Sequence, residues 1–254
     1  MSGHITDHPV LLLHSSGLGS GQWARLRSTL PHSAAPDATG YGGLPWSGLP
    51  DFQWTDDLAV AERALEDLGD AHVIGHSYGG FLALQLARRR PLRSVVVWEP
   101  VAFPLLGQRV VDEQAAFLDR GPGLEAWLAG FLGFWNGEGA WDRMSARRRA
   151  PFLDHGEKIY AEVLRLAQDR TPLALWAQNP SPTLVLSGEA TRPEATQVCA
   201  MIADALPRGR HEVVPGAGHM GPITHGPELQ ARLRRWFAEH DADADADPSS
   251  KDRP

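Results

Sequence analysis

The sequence predicts an α/β protein in which a mostly parallel sheet carries helices on both faces. Short apolar runs rich in valine and leucine alternate along the chain with longer stretches of helical spacing, the order typical of an α/β fold. The runs are apolar throughout rather than at every second position, as expected of parallel strands that are buried on both faces. Hydrophobic residues make up 43% and charged residues 22% of the 254 residues, an ordinary composition for a globular chain of one large domain or two small ones.

The strand candidates are the short apolar runs, and they lie at residues 10–13, 34–37, 73–74, 93–98, 183–186 and 211–214. The run at 93–98 is the clearest of these, and the run at 34–37 is the weakest. Helical spacing predicts helices near residues 22–30, 55–68, 81–89, 194–205 and 229–237. In the second of these, Thr55 is a candidate N-cap, and Leu58, Ala61 and Leu65 fall on one face.

One long stretch breaks this alternation of strands and helices. Residues 102–180 are aromatic and helical in pattern, and they predict a helical lid, or cap, over the carboxyl edge of the sheet. Open α/β sheets bind their ligands at that edge. Residues 1–101 and 181–240 then form the α/β core, and residues 241–254, which are low in apolar residues, predict a disordered tail.

Charge and composition exclude several functions. The chain has 24 basic and 31 acidic residues and a formal net charge of −7, so nucleic acid is not an expected partner. The apolar runs are too short to span a bilayer, and residues 1–8 lack the basic start and apolar stretch of a signal peptide. The single cysteine, Cys199, excludes an intrachain disulfide, and together these features predict a cytoplasmic protein without a membrane partner. No dinucleotide fingerprint or metal-ligand spacing is present, so neither a cofactor nor a metal is expected.

The segment Gly75-His76-Ser77-Tyr78-Gly79 carries the strongest chemical signal. It follows a strand candidate and precedes a helix, which is the setting that a G-x-S-x-G nucleophile turn requires. The serine of such a turn adopts a strained conformation that lifts its hydroxyl above the sheet, and the flanking glycines allow strand and helix to approach closely. The helix N-terminus also offers N–H groups to a developing oxyanion. Ser77 is therefore the candidate nucleophile.

Three further stretches make the sequence resemble the α/β-hydrolase family. Residues 13–17 (Leu-His-Ser-Ser-Gly) resemble the family's oxyanion loop, residues 35–42 its Pro-Asp-x-x-Gly-x-Gly stretch, and residues 215–220 (Pro-Gly-Ala-Gly-His-Met) its catalytic-histidine loop. The resemblance runs from Val10 to Phe237, and it implies the α/β-hydrolase fold and an esterase-like serine hydrolase activity. Family members usually have two strands before the oxyanion loop, whereas nine residues precede Val10 here, so truncated N-terminal strands are expected.

The resemblance assigns the general base to His219, which would take the proton of Ser77 and return it to the leaving group. The acid that orients this histidine stays open. Thr191 stands where family members most often have aspartate, and a threonine is not an anion at neutral pH. Glu99 follows the strand candidate at 93–98, and some family members draw their acid from that strand end. Glu189, in the usual loop, is the alternative acid, and another acid or none is a third possibility.

The other motif residues are assigned by the same resemblance. The N–H groups of Tyr78 and Ser16 are expected to form the oxyanion hole. His14 and His76 resemble family residues that orient loops through hydrogen bonds. Ser15 stands where the family usually has glycine, and it is a candidate pocket residue.

Aromatic residues crowd the stretch 131–141, and this density suits the roof of an apolar pocket. Most of them are expected to serve helix packing, with Trp135 as a candidate pocket residue. An aromatic, neutral lid favours a largely uncharged small-molecule substrate: an ester, thioester, lactone or amide, cleaved through an acyl-enzyme. The alternatives are a C–C hydrolase, a lyase or a cofactor-free haloperoxidase on the same fold, or a non-catalytic ligand-binding homologue, which the departure at Thr191 motivates.

Overall fold

A six-stranded, fully parallel sheet forms the centre of the computed structural model, which describes residues 3–121 and 123–246. The strands pair in the order β2-β1-β3-β4-β5-β6. They are β1 (Val10–Leu13), β2 (Ser33–Ala34), β3 (His72–His76), β4 (Ser94–Trp98), β5 (Thr183–Gly188) and β6 (Gly209–Val214). The predicted parallel sheet is confirmed, and no strand precedes β1 in the described part of the chain.

Helices connect the strands and fill the long interval between β4 and β5. They are α1 (Ala24–Arg27), α2 (Trp54–Leu68), α3 (Tyr78–Ala87), α4 (Gln108–Phe117), α5 (Leu124–Asn136), α6 (Ala146–Asp154), α7 (Gly156–Gln168), α8 (Leu173–Trp176), α9 (Pro193–Ala205), α10 (Gly221–Thr224) and α11 (Gly226–Ala246). Short 3-10 turns lie at Ser20–Trp23 and Phe103–Leu106. None of the described helices is both long enough and apolar enough to cross a membrane.

Successive residues of each strand point into two different hydrophobic clusters, because side chains alternate across a strand. Val95 and Val97 of β4 pack with α2, α3 and α9 on one face of the sheet. Val96 and Trp98 of the same strand pack with α1 and α11 on the other. The predicted helices on both faces are thus confirmed, and the strand ends that carry the motifs meet at one edge.

Two of the predicted elements are shorter in the structure than the sequence predicts. The strand predicted at 34–37 is the two-residue β2, and the helix predicted at 22–30 is a 3-10 turn followed by the single turn of α1. The hydroxyls of Ser28 and Thr29 bond to the carbonyls of Arg25 and Leu26, each at 2.8 Å. These local hydrogen bonds compete with continuation of the helix.

The start of α2 is also one residue earlier than predicted. Gln53, not Thr55, is its N-cap, and the pair Gln53 and Asp56 forms a reciprocal capping box. The N–H of Gln53 donates to the Asp56 carboxylate at 3.0 Å. This arrangement satisfies donors at the helix start that would otherwise lack partners.

The prediction of a disordered tail is wrong for residues 241–246, because α11 continues to Ala246. The Asp241 carboxylate accepts hydrogen bonds from His72 and from Thr6, both at 2.9 Å. These contacts anchor the helix to β3 and to the chain before β1. Residues 247–254 of the predicted tail lie outside the described residues.

The interval between β4 and β5 is helical, as its pattern predicted. Its helices α5 and α7 contribute to a hydrophobic cluster of their own, centred on Trp127, Leu128 and Ile159. Phe103 and Trp135 of this interval line the same cavity as Ser77. The division into a core at 1–101 and 181–240 and a lid at 102–180 stays a prediction.

Candidate active site

Ser77 lies on a sharp turn between β3 and α3. Its φ is 56°, and its N–H donates to the carbonyl of Trp98 at 2.8 Å. Gly75 and Gly79 allow this turn, because a Cβ on either one would lie 2.3 Å from a backbone oxygen. The serine is 5% exposed, and the strained backbone presents it at the edge of the sheet.

His219 is paired with Glu99. The histidine Nδ1 lies 2.7 Å from Glu99 Oε2, and both side chains are buried. With its proton on Nδ1 and donated to the carboxylate, the imidazole keeps a lone pair on Nε2 for a neighbouring hydroxyl. Glu99 has a φ of 44°, and it shares with Ser77 alone a positive φ among the described non-glycine residues.

The Glu99 carboxylate has two further donors. The N–H of Gly188 donates to Oε1, and the Thr191 hydroxyl donates to Oε2, each at 2.8 Å. Thr191, which stands where the resemblance leads one to expect an acid, therefore holds the Glu99 carboxylate in place. The Glu189 carboxylate accepts from the N–H of Gly216 at 2.9 Å instead, and the structure does not bring it to the histidine.

Ser77 and His219 meet at the same edge without a hydrogen bond between their side chains in the described part of the chain. They are linked through His76, whose Nε2–H donates to the carbonyl of His219 at 2.9 Å. The ring centroids of His76 and His219 lie 4.9 Å apart. Hydrogen bonds between nucleophile and base are often long before substrate binds and tighten in the complex.

A glutamine outside the sequence motifs connects two of them. The Gln22 amide donates to Nδ1 of His76 at 3.0 Å, and its oxygen accepts from the N–H of Ser15 at 2.9 Å. Burial, with a smaller effect of the His219 charge, holds the pKa of His76 well below its usual value, so this imidazole stays neutral in its bridging role. His14 is also buried with a lowered pKa, and it joins Ser15 O to the N–H of Ala38.

The backbone of the loop after β1 leaves one N–H free between two that are engaged. The N–H of Ser15 is bound to Gln22, and the N–H of Gly17 donates to the Tyr41 hydroxyl at 2.9 Å. The N–H of Ser16 has no hydrogen-bond partner among the described residues, and the same holds for the N–H of Tyr78. These two donors are the ones expected to form the oxyanion hole.

Two cavities meet at this edge. Pocket A, of about 130 Å³, adjoins Ser77 and is mostly apolar, with Phe103 and Phe131 in its wall. Pocket B, of about 320 Å³, adjoins His219 and also contacts Arg143. Ser16 and Trp135 border both pockets, and Ser15 borders pocket B.

Trp135 lies directly on the candidate base. Its ring stacks on that of His219 with centroids 3.6 Å apart and planes inclined by 16°. The expectation of a neutral lid needs correction, because Glu113 and Arg143 of the helical interval line the pockets and α7 buries the charged pair Lys158 and Glu162. No group of three His, Cys, Asp or Glu in the described ranges could hold a metal ion.

A parallel sheet with a strained serine after β3 and a His–Glu pair at the carboxyl ends of β6 and β4 is the arrangement of an α/β hydrolase. The chain belongs to the alpha/beta hydrolase family, whose sequence profile matches residues 10–233. It is 38% identical to the lipase LipV of Mycobacterium tuberculosis over 117 residues, which are 43% of each chain. It is 28% identical to a 2-hydroxymuconate semialdehyde hydrolase of a Pseudomonas species over 256 residues, which cover 93% of this chain and 89% of that protein.

Solved structures share the whole fold. MenH from S. aureus superposes with a TM-score of 0.72 at 18% identity and covers 93% of this chain and 95% of its own. A thermophilic esterase from Thermogutta terrifontis gives a TM-score of 0.70 at 22% identity, with 92% and 91% covered. At these identities the likeness establishes the fold.

Proposed function

We propose that this protein is a serine hydrolase that cleaves an ester-type bond of a small to medium substrate through an acyl-enzyme. The pairing of His219 with Glu99 at 2.7 Å, at the edge where Ser77 emerges, is the observation that carries the proposal. A carboxylate bound to Nδ1 fixes the tautomer that can act as a base at Nε2.

In the proposed reaction His219 Nε2 accepts the Ser77 proton while Oγ bonds to the acyl carbon. The negative charge on the former carbonyl oxygen is stabilised by the N–H groups of Ser16 and Tyr78. The bond to the leaving group then breaks, and His219 returns the proton to the departing atom. Water activated by the same imidazole attacks the acyl-enzyme, and its collapse restores the Ser77 hydroxyl.

The two pockets support an assignment of the two halves of the substrate. The acyl carbon bonds to Ser77, so the acyl group is expected in pocket A. The leaving group takes its proton from His219, so it is expected in pocket B. Pocket A has about 130 Å³, and an apolar cavity of about 150 Å³ holds a benzene ring. An acyl group of roughly that size therefore fits, with a larger leaving group beside Arg143.

A fluorophosphonate probe tests the proposed nucleophile. We expect covalent capture by the wild-type protein and loss of capture in Ser77→Ala, detected by mass spectrometry of the intact chain. The Ser187→Ala variant is the matched control, because its hydroxyl is hydrogen-bonded to His211 rather than placed at the edge. An absence of capture at every pH tested, from about 6 to 9, would support the non-catalytic ligand-binding alternative.

The size of pocket A predicts the acyl preference. Across p-nitrophenyl esters with lengthening acyl chains, kcat/KM is expected to fall by about tenfold or more once the chain exceeds the pocket, because the excess methylenes stay outside the apolar wall. Val163 borders pocket A and not pocket B, so Val163→Phe should shift the optimum to shorter acyl chains. A profile that keeps rising to long chains would contradict the assignment.

A C–C hydrolase is a second candidate, favoured by two observations. The relative aligned over 93% of this chain is a 2-hydroxymuconate semialdehyde hydrolase. In pocket B the Arg143 guanidinium donates to the carbonyl of Glu138 at 2.7 Å, and none of the described carboxylates forms a salt bridge with it. Parallel assays of simple esters and of a ring-fission dienoate distinguish the two activities, and a dienoate preference that Arg143→Gln abolishes would favour C–C cleavage.

A further inference from the structure

A buried charge cluster lies beneath the candidate oxyanion hole, and the proposed reaction does not use it. Lys158 of α7 donates to Asp57 of α2 and to Glu162 of α7, each at 2.7 Å. The Lys158 side chain is 2% exposed and both carboxylates are 0% exposed. We call Asp57, Lys158 and Glu162, with the phenols of Tyr41 and Tyr78, the Lys158 cluster.

One end of the Lys158 cluster holds the residue after the nucleophile. The Tyr78 hydroxyl donates to Asp57 Oδ2 at 2.6 Å, the same oxygen that Lys158 binds. The other oxygen of Asp57 accepts from the N–H and the hydroxyl of Thr39. The side chain of Tyr78 is thus fixed at its far end, while its backbone N–H has no hydrogen-bond partner among the described residues.

The other end of the cluster holds the loop after β1. The Tyr41 hydroxyl donates to Glu162 Oε2 at 3.1 Å and accepts from the N–H of Gly17 at 2.9 Å. Because Tyr41 engages the N–H of Gly17, the neighbouring N–H of Ser16 is the donor left for the site.

The identity of the cation also points to a positioning role. The sequence has 22 arginines and two lysines, and Lys158 is the lysine of the described residues. An ammonium is a compact charge with three donors, whereas a guanidinium is a planar fork. Here the ammonium joins carboxylates from two helices and lies 4.2 Å from the ring centre of Phe52, a space that suits the smaller group.

Stability alone does not explain the cluster. The desolvation of buried ions largely offsets their mutual attraction, so such groups add little net free energy of folding. Buried ions do restrict the positions of the side chains that bind them, because each group must keep its hydrogen bonds in the low-dielectric interior.

We propose that the Lys158 cluster positions the oxyanion hole, with α7 setting the distance between the N–H groups of Ser16 and Tyr78. This inference rests on the proposed serine hydrolase function. It makes the helical interval between β4 and β5 part of the catalytic apparatus and not only a cover. Donors in an oxyanion hole act on charge that develops in the transition state, so their displacement affects kcat more than KM.

The three tyrosines of the chain provide the test. Tyr41→Phe and Tyr78→Phe each remove one cluster hydroxyl, and we expect kcat on a p-nitrophenyl ester to fall by about 10- to 100-fold with KM changed by less than about threefold. Tyr160→Phe is the matched control. Tyr160 lies on α7, and its hydroxyl donates to the carbonyl of Leu118 at 3.1 Å. Neither residue lines pocket A or pocket B, so the kcat of this variant should match that of the wild type.

The double variant Tyr41→Phe/Tyr78→Phe adds a second measurement. The two hydroxyls bind the two carboxylates that Lys158 joins. The combined loss of kcat is therefore expected to be smaller than the product of the two single losses. Thermal unfolding of each variant is followed alongside, so that a fall in kcat is measured on folded protein.

Each outcome decides a separate point. If the wild type hydrolyses esters and the two cluster variants keep its kcat, the positioning role is wrong while the proposed function stands. A change confined to KM would make the cluster part of substrate binding and would also overturn the inference. A wild type that neither hydrolyses esters nor reacts with a fluorophosphonate overturns the proposed function and this inference together.

Discussion

Ser77 and Glu99 end neighbouring strands with the same unusual backbone. Their φ values of 56° and 44° place both in the left-handed region that favours glycine. Such strained conformations persist only where surrounding contacts hold the backbone in place. Here the N–H of Ser77 donates to Trp98 O and the N–H of Glu99 donates to Leu186 O, so each strained residue is held by the strand beside it.

The role of Glu99 can be tested by removing its charge. We expect Glu99→Gln to lower kcat on an ester by about 10³- to 10⁴-fold, because an amide no longer stabilises the imidazolium or holds its tautomer. Glu189→Gln is the matched control, since its carboxylate binds Gly216 N–H instead, and it should stay within about twofold of the wild type. The reverse pattern would move the acid to the loop after β5.

At the residue scale, the sequence predicts the functional residues that lie within a recognisable local motif. Ser77 and His219 each lie in such a motif, whereas the choice between Glu99 and Glu189 depends on a contact between residues 120 positions apart. The roles of Gln22, Thr191 and Lys158 depend on distant partners, which are His76, Glu99 and Asp57 respectively. A lysine in an arginine-rich chain, with a glutamate four residues later on a helix, is the local signal that could have identified Lys158.

At the scale of elements, the close approach of β3, α3 and β1 depends on glycine. A Cβ on Gly79 would lie 2.3 Å from the carbonyl oxygen of Leu13, which is backbone and has little freedom to move. Gly79→Ala is therefore expected to lower the free energy of unfolding by about 1 to 3 kcal/mol, the usual range for overpacking. Urea denaturation followed by circular dichroism measures it.

Gly130 supplies the opposite case within the same chain. It is exposed inside α5, and a Cβ there would meet nothing within 4 Å. Gly130→Ala should raise the free energy of unfolding by about 0.5 to 1 kcal/mol, because alanine loses less backbone entropy in a helix. Equal effects of the two substitutions would show that crowding at Gly79 is not the cause.

The long elements were predictable and the short ones were not. Apolar runs define β1, β4 and β5 because burial on both faces leaves a continuous pattern. The two residues of β2 carry no such pattern, and α1 is limited by side-chain hydrogen bonds that periodicity does not report. The last turns of α11 likewise depend on Asp241, whose partners lie at the other end of the chain.

Across the whole molecule, buried histidines make stability depend on pH. Burial is the main cause that lowers the pKa of His14, His72 and His76 below 6.5. As pH falls below 6.5 these histidines therefore bind protons in the unfolded chain but not in the folded chain. The free energy of unfolding decreases as a result. Each histidine contributes up to about 1.4 kcal/mol per pH unit until its folded pKa is reached. Glu162, whose pKa burial raises, acts in the opposite sense.

Urea midpoints at pH 7.5, 6.5 and 5.5 are expected to fall in that order. His72→Gln removes one of the three groups and should make the fall shallower. His4→Gln changes an exposed histidine and should leave it unaltered. A midpoint that stays constant from pH 7.5 to 5.5 would contradict the neutral state of these side chains.

The burial of Lys158 has a practical consequence. Its ammonium is enclosed by carboxylates and aromatic rings, and the second lysine of the sequence is Lys251. An acylating reagent directed at amines would therefore modify Lys158 only when α7 separates from α2, whose Asp57 binds the ammonium. The rate of that modification, measured by peptide mass spectrometry, reports how often α7 separates from α2. A phosphonate bound at Ser77 should lower this rate.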